Sequence, residues 1–478
     1  MEILKKYKKM SIQAKSAVWF AVCSILQKGI SFITVPIFVR LLTTEQYGTY
    51  SVYLSWLQIL TVITSLYLYY GVFNTAMVKF EEDRDKYVSS MQGLTITITT
   101  IIFAIYLAFN SMWSKMLGLA PIMIILMFTE MLVEPAFYFW SGRERFDFKY
   151  KKLVIVTLVK SIANPFIGLI AVSLTDYKDY ARIASVVVIE VVFCGTIMVY
   201  QFIKGKCFIN KNYWKYALGM AIPLLPHYFS SMILNQGDRV MISKMVGTSE
   251  VAFYSVAYSI GMVVNIFTNA INSTFTPWVY QKIKLDDYNG ISSIVNMLLL
   301  LIQAIAITLM LCSPELVLIF ASSDYASSAY VIPPVAASVF FIFLYNILAI
   351  VQFYYEKTQF LLISSISAAV VNMVLNYVFI KMFGFVAAGY TTLFCYVLYS
   401  IGHYIISQRV IRRFIPGKKL FDSNTIFVMS LLVIGVSLAC NLLFNYWYIR
   451  YGIILVCAVT VIVKRNMIIG ILKGVKNI

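Results

Sequence analysis

Lys28, Lys160 and Arg239 carry fixed positive charge inside otherwise apolar stretches of this chain. A charge at that depth costs several kcal/mol in lipid, so such a side chain faces protein or water. Helical spacing aligns Ser24, Gln27, Lys28 and Ser31 on one stripe, and Thr157, Lys160, Ser161 and Asn164 on another. Pro165 follows the second stripe and frees a backbone carbonyl that only water or protein can solvate. A third stripe holds Asn265, Thr268, Asn269, Asn272 and Thr276, and Asn372 and Asn376 stand one turn apart. Two such stripes face to face would line a wet cavity with ammonium groups and amides, which suits phosphate and sugar hydroxyls. Lys28, Lys160, Arg239, Asn164 and Asn269 are therefore the candidate substrate contacts.

Acidic groups occur at comparable depth: Glu130, Glu134, Glu190 and Asp238. Glu134 and Lys160 lie at similar height on consecutive stretches, so a structural ion pair competes with the substrate role of Lys160. Asp238 next to Arg239 reads as a helix-end pair or as a gate element. Asp238, Asn372, Asn376, Glu130 and Glu134 are the candidates for a gate or for a coupling H+ or Na+. Asn stripes also serve as interhelical glue, and His227 reads as a satisfied buried histidine. No metal-ligand spacing and no Gly-rich phosphate loop occurs, and the chain has only two histidines, His227 and His403. No cofactor, no metal and no enzymatic chemistry is expected. Transport would have to run on an ion gradient, a membrane potential or a substrate gradient.

The elements that carry these residues are long and apolar. The 478 residues are 60% hydrophobic, 16% aromatic and 13% charged. A hydrocarbon core of roughly 30 Å needs about 20 apolar helical residues to cross it. Fourteen stretches qualify, near 16–39, 47–73, 87–110, 116–140, 153–174, 183–203, 216–239, 251–276, 291–312, 331–353, 358–380, 385–407, 424–444 and 446–463. The last is short and begins beside Arg450, so twelve or thirteen spans remain open. The sequence thus predicts an all-α polytopic membrane protein. Lys28 would lie roughly 18 Å from the inner surface, near the midplane.

Basic residues divide unequally between alternate joints. One set holds 29 Lys and Arg, including Lys5, Arg84, Arg143, Lys204, Lys282, Arg409 and Lys464. The other holds seven: Arg40, Lys115, Lys178, Arg182, Lys244, Lys381 and Arg450. The positive-inside bias places both termini in the cytoplasm. The net charge of +18 then meets anionic lipid rather than nucleic acid. No cleavable signal peptide is expected, because the first apolar stretch is a full span. The seven cysteines form no CxxC pair and read as small core hydrophobes.

An internal repeat organises the spans. Thr44 to Ser55 and Thr248 to Ser259 share Thr, Tyr, Ser, Val and Ser at one offset of 204 residues. Six spans separate the copies, which keeps two halves in parallel pseudo-symmetry with substrate expected between them. The expected divisions are a six-helix bundle over 1–210, a second over 211–408, and 409–478 with a basic joint, two further helices and a cytoplasmic tail.

Two stretches resemble a known family. Lys28 through Tyr50 resembles the first helix and turn of bacterial polysaccharide repeat-unit flippases. Pro223 to Pro226, Asn235 through Ile242, Val246-Gly247 and Phe253 to Ala257 resemble their seventh helix and its turn. That family belongs to the multidrug/oligosaccharidyl-lipid/polysaccharide exporter superfamily. The resemblance implies a flippase that moves polyprenyl-pyrophosphate-linked oligosaccharide from the inner to the outer leaflet by alternating access, for capsule or O-antigen assembly. It implies membrane lipids, a glycan polymerase and chain-length machinery as partners. A cation-coupled multidrug antiporter on the same fold is the alternative, and would want midplane carboxylates facing the cavity. A membrane polymerase is a third reading, but the longest outward joint, Ser313 to Tyr330, is short for holding glycan.

Overall fold

A computed structural model describes residues 10–357 and 359–463, and every regular element among them is helical. Of the basic residues assigned to the cytoplasmic set, Lys5, Lys6, Lys8, Lys9, Lys464, Arg465, Lys473 and Lys476 lie outside the described residues. Two compact units divide the chain, Met1–Lys244 and Met245–Ile478. The division falls after the seventh span rather than before it, where the repeat predicts it. Among the described residues ten helices are long and apolar enough to cross a membrane, or eleven with one bent pair counted as a span. All fourteen expected segments are helical, but the second and eighth are interrupted and the last is short.

The N-terminal unit contains α1 (Ile12–Leu41), α2 (Thr44–Ser65), α3 (Gly71–Lys79), α4 (Arg84–Ala108), α5 (Asn110–Leu117), α6 (Pro121–Phe146), α7 (Tyr150–Ser173), α8 (Lys178–Gly205) and α9 (Lys211–Met245). A capping box starts α2: Thr43 accepts from the Gln46 N–H at 3.2 Å, and Gln46 Oε1 accepts from the Thr43 N–H at 3.1 Å. Pro121 starts α6 at a position where its missing N–H costs nothing. The expected continuous span 47–73 is broken. Leu66 and Tyr67 both take left-handed backbone, at φ 48° and 49°. Strain of that kind costs on the order of 1–3 kcal/mol per non-glycine residue, and the surrounding structure has to hold it. Here the Tyr67 N–H donates to Ser65 Oγ at 3.2 Å and the Leu68 N–H to the Ser65 carbonyl at 3.1 Å.

Helix α4 packs against α6 and α8 at the centre of this unit. Close approach is built into α4: a Cβ on Gly93 would lie 2.1 Å from the Phe208 carbonyl oxygen. Its neighbours Tyr87, Met91 and Leu94 join Phe73, Met77 and Phe139 in one buried apolar cluster. Within α8 the backbone widens into a π-turn over Val191–Gly195. Such turns change the angular phase of the residues that follow and are frequent at functional sites.

The C-terminal unit contains α10 (Thr248–Gly261), α11 (Val264–Lys284), α12 (Ile291–Leu311), α13 (Ser313–Phe320), α14 (Ile332–Tyr354), α15 (Gln359–Phe383), α16 (Val386–Phe414), α17 (Ser423–Leu443) and α18 (Trp447–Val463). The expected span 251–276 bends by 40° between α10 and α11. The joint after α12 is also ordered, with α13 and a 3-10 turn over Ser323–Tyr330. Helix α14 is the hub, packed by α10, α11, α12, α16 and α17, and 83% of its apolar window is buried. Gly261 allows α10 to meet Val335, and Gly389 allows α16 to meet Pro334. In the repeat, Ser55 Oγ donates to the Ser51 carbonyl at 2.9 Å and Ser259 Oγ to the Ser255 carbonyl at 2.8 Å. The two copies therefore share a local hydrogen bond as well as a sequence.

Arg450 explains how the shortest span carries a guanidinium near its start. Nη1 and Nη2 each donate to Glu315 at 2.7 Å, and Nη1 also donates to the Leu311 carbonyl at 2.6 Å. That pair holds the Glu315 carboxyl below the usual carboxylate range. Removing Glu315 would leave a buried Arg450 without its counter-charge. Glu315→Ala is expected to destabilise this unit by about 3 kcal/mol, at the low end because Glu315 is partly exposed. Thermal unfolding in detergent checks this, and an unchanged midpoint would contradict it.

Candidate functional site

The charges inside the N-terminal unit sort into engaged and unengaged groups. Lys160, on α7, donates to Glu190 Oε2 on α8 at 2.6 Å, and its ammonium lies 4.5 Å from the centre of the Phe137 ring. Cys194, one turn beyond Glu190 within the π-turn, also donates to Glu190 Oε2, at 2.9 Å. The alternative partner expected for Lys160 was Glu134, and that expectation is corrected. Helix positions give height but not azimuth, and Glu134 instead accepts from the Tyr138 hydroxyl at 3.1 Å. Glu130 is buried and accepts from the Tyr53 hydroxyl at 2.8 Å. Lys160 keeps 17% of its side chain exposed, so its ammonium is paired but within reach.

Asn164 follows Lys160 by one turn and holds a base that the sequence assigns to an outer joint. Arg182 is buried in α8, and its Nη2 donates to Asn164 Oδ1 at 2.9 Å. The guanidinium stacks 4.1 Å over the Phe38 ring, a cation–π contact with α1. Arg182 thus ties α1, α7 and α8, and the Asn164 side-chain oxygen is engaged in that tie. The spacing of Asn164 and Arg182 across two helices carries no signal in the sequence.

Arg239 is buried at 8% exposure, with Nη1 donating to the Asn235 carbonyl at 3.0 Å and to Gln236 Oε1 at 3.3 Å. Ser55 Oγ donates to the same Gln236 oxygen at 3.2 Å, and Gln236 Nε2 donates to Gln58 Oε1 at 2.8 Å. These contacts join α9 to α2 through neutral amides and a hydroxyl. Asp238 is fully buried beside Arg239.

Lys28 differs from every base above. Its stripe of Ser24, Gln27, Lys28 and Ser31 is exposed along α1. Helix α1 packs chiefly on α7, and only 17% of its apolar window is buried. Among the described residues no carboxylate lies within ion-pair distance of Lys28, and the ammonium makes no hydrogen bond. It is a fixed charge on a spanning helix with no ion-pair partner among the described residues.

In the C-terminal unit Asn269 is exposed on α11, whereas Thr268, beside it, is buried and bonded to Asn265 at 3.1 Å. Asn372 and Asn376 are fully buried. Asn376 Nδ2 donates to Asn372 Oδ1 at 3.1 Å, Asn372 Nδ2 donates to Thr392 Oγ1 at 3.2 Å, and the Thr391 hydroxyl donates to Asn376 Oδ1. The pair closes the α15–α16 interface as glue, with both side-chain oxygens accepting from protein. His403 pairs with Gln352 across α14 and α16 in the same manner.

Comparison with known proteins bears on this arrangement. The sequence profile described as "Polysaccharide biosynthesis protein" matches residues 13–282, and the MatE profile matches residues 223–378. The chain is 30% identical over 69 residues to the Lsg locus putative protein 1 of Haemophilus influenzae, a match spanning 14% of this chain and only 17% of that relative's length. In fold it is similar to a lipid II flippase MurJ in an inward closed conformation, with TM-score 0.73, 13% identity, and coverage of 94% of this chain and 100% of that one. It is also similar to an inward-facing multidrug resistance MATE family transporter of the MOP superfamily, with TM-score 0.61, 15% identity, and coverage of 84% and 100%. A MOP superfamily transporter from Pyrococcus furiosus, described as having a binding pocket of reversed polarity, gives TM-score 0.56 at 14% identity over 85% of this chain and 98% of that one.

The Lys160–Glu190 pair separates structure from function experimentally. Lys160→Met alone leaves Glu190 buried and uncompensated, and is expected to cost about 3–5 kcal/mol of stability. Lys160→Met with Glu190→Leu should recover most of that loss. A double variant no more stable than the single one would contradict the pairing, as read by thermal unfolding of the purified protein.

Proposed function

The chain belongs to the polysaccharide biosynthesis protein family, and from that membership and the charges just described we propose that it is a flippase for polyprenyl-pyrophosphate-linked oligosaccharide. The repeat unit passes from the inner to the outer leaflet of a bacterial cytoplasmic membrane by alternating access. Both termini lie in the cytoplasm, and the cargo feeds capsule or O-antigen assembly. The lipid tail stays in the bilayer while the pyrophosphate-sugar head follows the polar stripes.

The observation that carries this reading is Lys28. An ammonium on an apolar helix is stabilised by an anion, and among the described residues no carboxylate lies within ion-pair distance of it. A pyrophosphate supplies that anion with several oxygen acceptors for charge-assisted hydrogen bonds. Lys160 joins at a second stage by exchanging Glu190 for phosphate, since its ammonium keeps partial exposure. Glu190 then acts as a stand-in for the cargo when the path is empty. Arg239, braced by Gln236, takes the outer position as a gate or last phosphate contact.

The same observation weighs against the multidrug antiporter. A cationic drug or a coupling cation wants an available carboxylate, yet Glu130 is held by Tyr53, Glu134 by Tyr138 and Glu190 by Lys160. Among the described residues these three acids are engaged, whereas Lys28 has no carboxylate within ion-pair distance.

Export of surface polysaccharide in cells that depend on this protein tests the assignment. Lys28→Ala should lower export about tenfold to a hundredfold, the loss of one charged hydrogen-bond donor, and Lys28→Arg should retain much of it. Equal amounts of membrane-inserted protein are required for the comparison. Wild-type export by Lys28→Ala would contradict the role, and so would protein-dependent efflux of an organic cation without glycan export.

A further inference from the structure

At the broken end of α2 the run Ser65-Leu-Tyr-Leu-Tyr-Tyr70 folds its tyrosines into one cluster with α6 and α9. Tyr67 meets Tyr70 edge-on at 4.8 Å between ring centres and Tyr228 at 5.2 Å. Tyr70 and Tyr228 lie 6.2 Å apart at an interplanar angle of 32°, and Tyr69 stacks on Tyr138 at 4.5 Å and 16°. Tyr138 in turn donates its hydroxyl to Glu134, which is partly exposed. The rings are thus held by one another and by the left-handed turn at Leu66 and Tyr67.

Two features of the cluster point outward. Tyr70 is 51% exposed and Tyr138 is 36% exposed, so part of each residue is reachable from outside the cluster. Among the described residues the hydroxyls of Tyr67, Tyr70 and Tyr228 have no hydrogen-bond partner, although each ring is packed. A preorganised aromatic surface with free hydroxyls and an adjacent carboxylate offers two kinds of contact at once. The faces accept the C–H side of a pyranose ring, and the hydroxyls and Glu134 accept or donate at its edge. A belt of tyrosines anchored in lipid would point outward from separate helices. Here they converge on one another around a carboxylate that lipid would not tolerate.

Resting on the flippase reading, we propose that Tyr67, Tyr70, Tyr138 and Tyr228 with Glu134 form a sugar-recognition platform for the head of the cargo. The platform lies at the far end of α2, about 33 Å of helix from Thr44. In the orientation proposed above that is the cytoplasmic side, where the glycan is met before crossing. It would select for the presence of a sugar next to the pyrophosphate, a discrimination that Lys28 cannot make.

Binding of short prenyl probes to the full-length protein in detergent tests this. The probes are geranyl pyrophosphate alone and geranyl pyrophosphate bearing one glucose, galactose or N-acetylglucosamine. Wild-type protein should bind at least one glycosylated probe about tenfold more tightly than the bare one, the scale of an aromatic stacking contact. Tyr70→Ala with Tyr228→Ala should erase that difference and leave bare geranyl pyrophosphate binding unchanged. Tyr70→Phe with Tyr228→Phe, which keeps the rings, should preserve most of it, and Lys28→Ala should weaken all four probes together. Equal binding of bare and glycosylated probes by wild type would overturn the platform while leaving the flippase reading intact. The same holds if the alanine variant retains the sugar preference or weakens all probes equally, as an anchoring belt would. Binding of none of the four would overturn the flippase reading, and the platform with it.

Discussion

A charge carried into an apolar span has to be met by a counter-charge, by hydrogen bonds or by water, and much of the helix packing in this protein follows from that requirement. Lys160 and Glu190 join α7 to α8, Arg182 joins α1, α7 and α8 through Asn164 and Phe38, and Tyr53 joins α2 to α6 through Glu130. Arg450 and Glu315 do the same in the C-terminal unit, between the last span and the turn after α12. Each of these ties is directional, so it fixes helix rotation in a way that apolar contacts alone do not. Lys28 stands outside this scheme. It sits on the loosely packed α1 with an exposed polar stripe around it, and among the described residues it has no carboxylate within ion-pair distance.

Where the polar groups are engaged, they act as structure, and the contrast sharpens the functional reading. Asn372 and Asn376 satisfy one another and two threonines, and His403 satisfies Gln352. These are ties between neighbouring helices of one unit. The same residue types on α1 and α11 are exposed at Lys28 and Asn269. A transporter needs both classes: sealed polar contacts that keep each unit rigid, and open ones that exchange partners with the cargo. Lys160 lies between the two, paired with a carboxylate but reachable.

Hydropathy made the spans legible, because length and apolarity are set by the bilayer and show in composition alone. The family resemblance was legible in the Asp238-Arg239 run and the turns around Tyr50 and Tyr254. Less visible were the breaks. Leu66 and Tyr67 adopt left-handed backbone without a glycine or proline to announce it, since the tyrosine cluster rather than local propensity holds the turn. The partner of Lys160 was also hidden. Depth along a helix follows from a residue count, but azimuth depends on how the helices pack, which brings Glu190 rather than Glu134 to Lys160. For the same reason Arg182 reads as a joint residue in sequence and is a buried tie in the fold.

The proposed path depends on what compensates Lys28. Dipolar recoupling between 15N-labelled lysine and 31P measures that contact directly, with the protein in liposomes holding a polyprenyl-pyrophosphate oligosaccharide. A close nitrogen–phosphorus coupling that disappears in Lys28→Ala is the predicted result. Saturable binding of the glycolipid with no coupling lost in that variant would contradict it, because the pyrophosphate would then be held without the ammonium on which the proposed path begins.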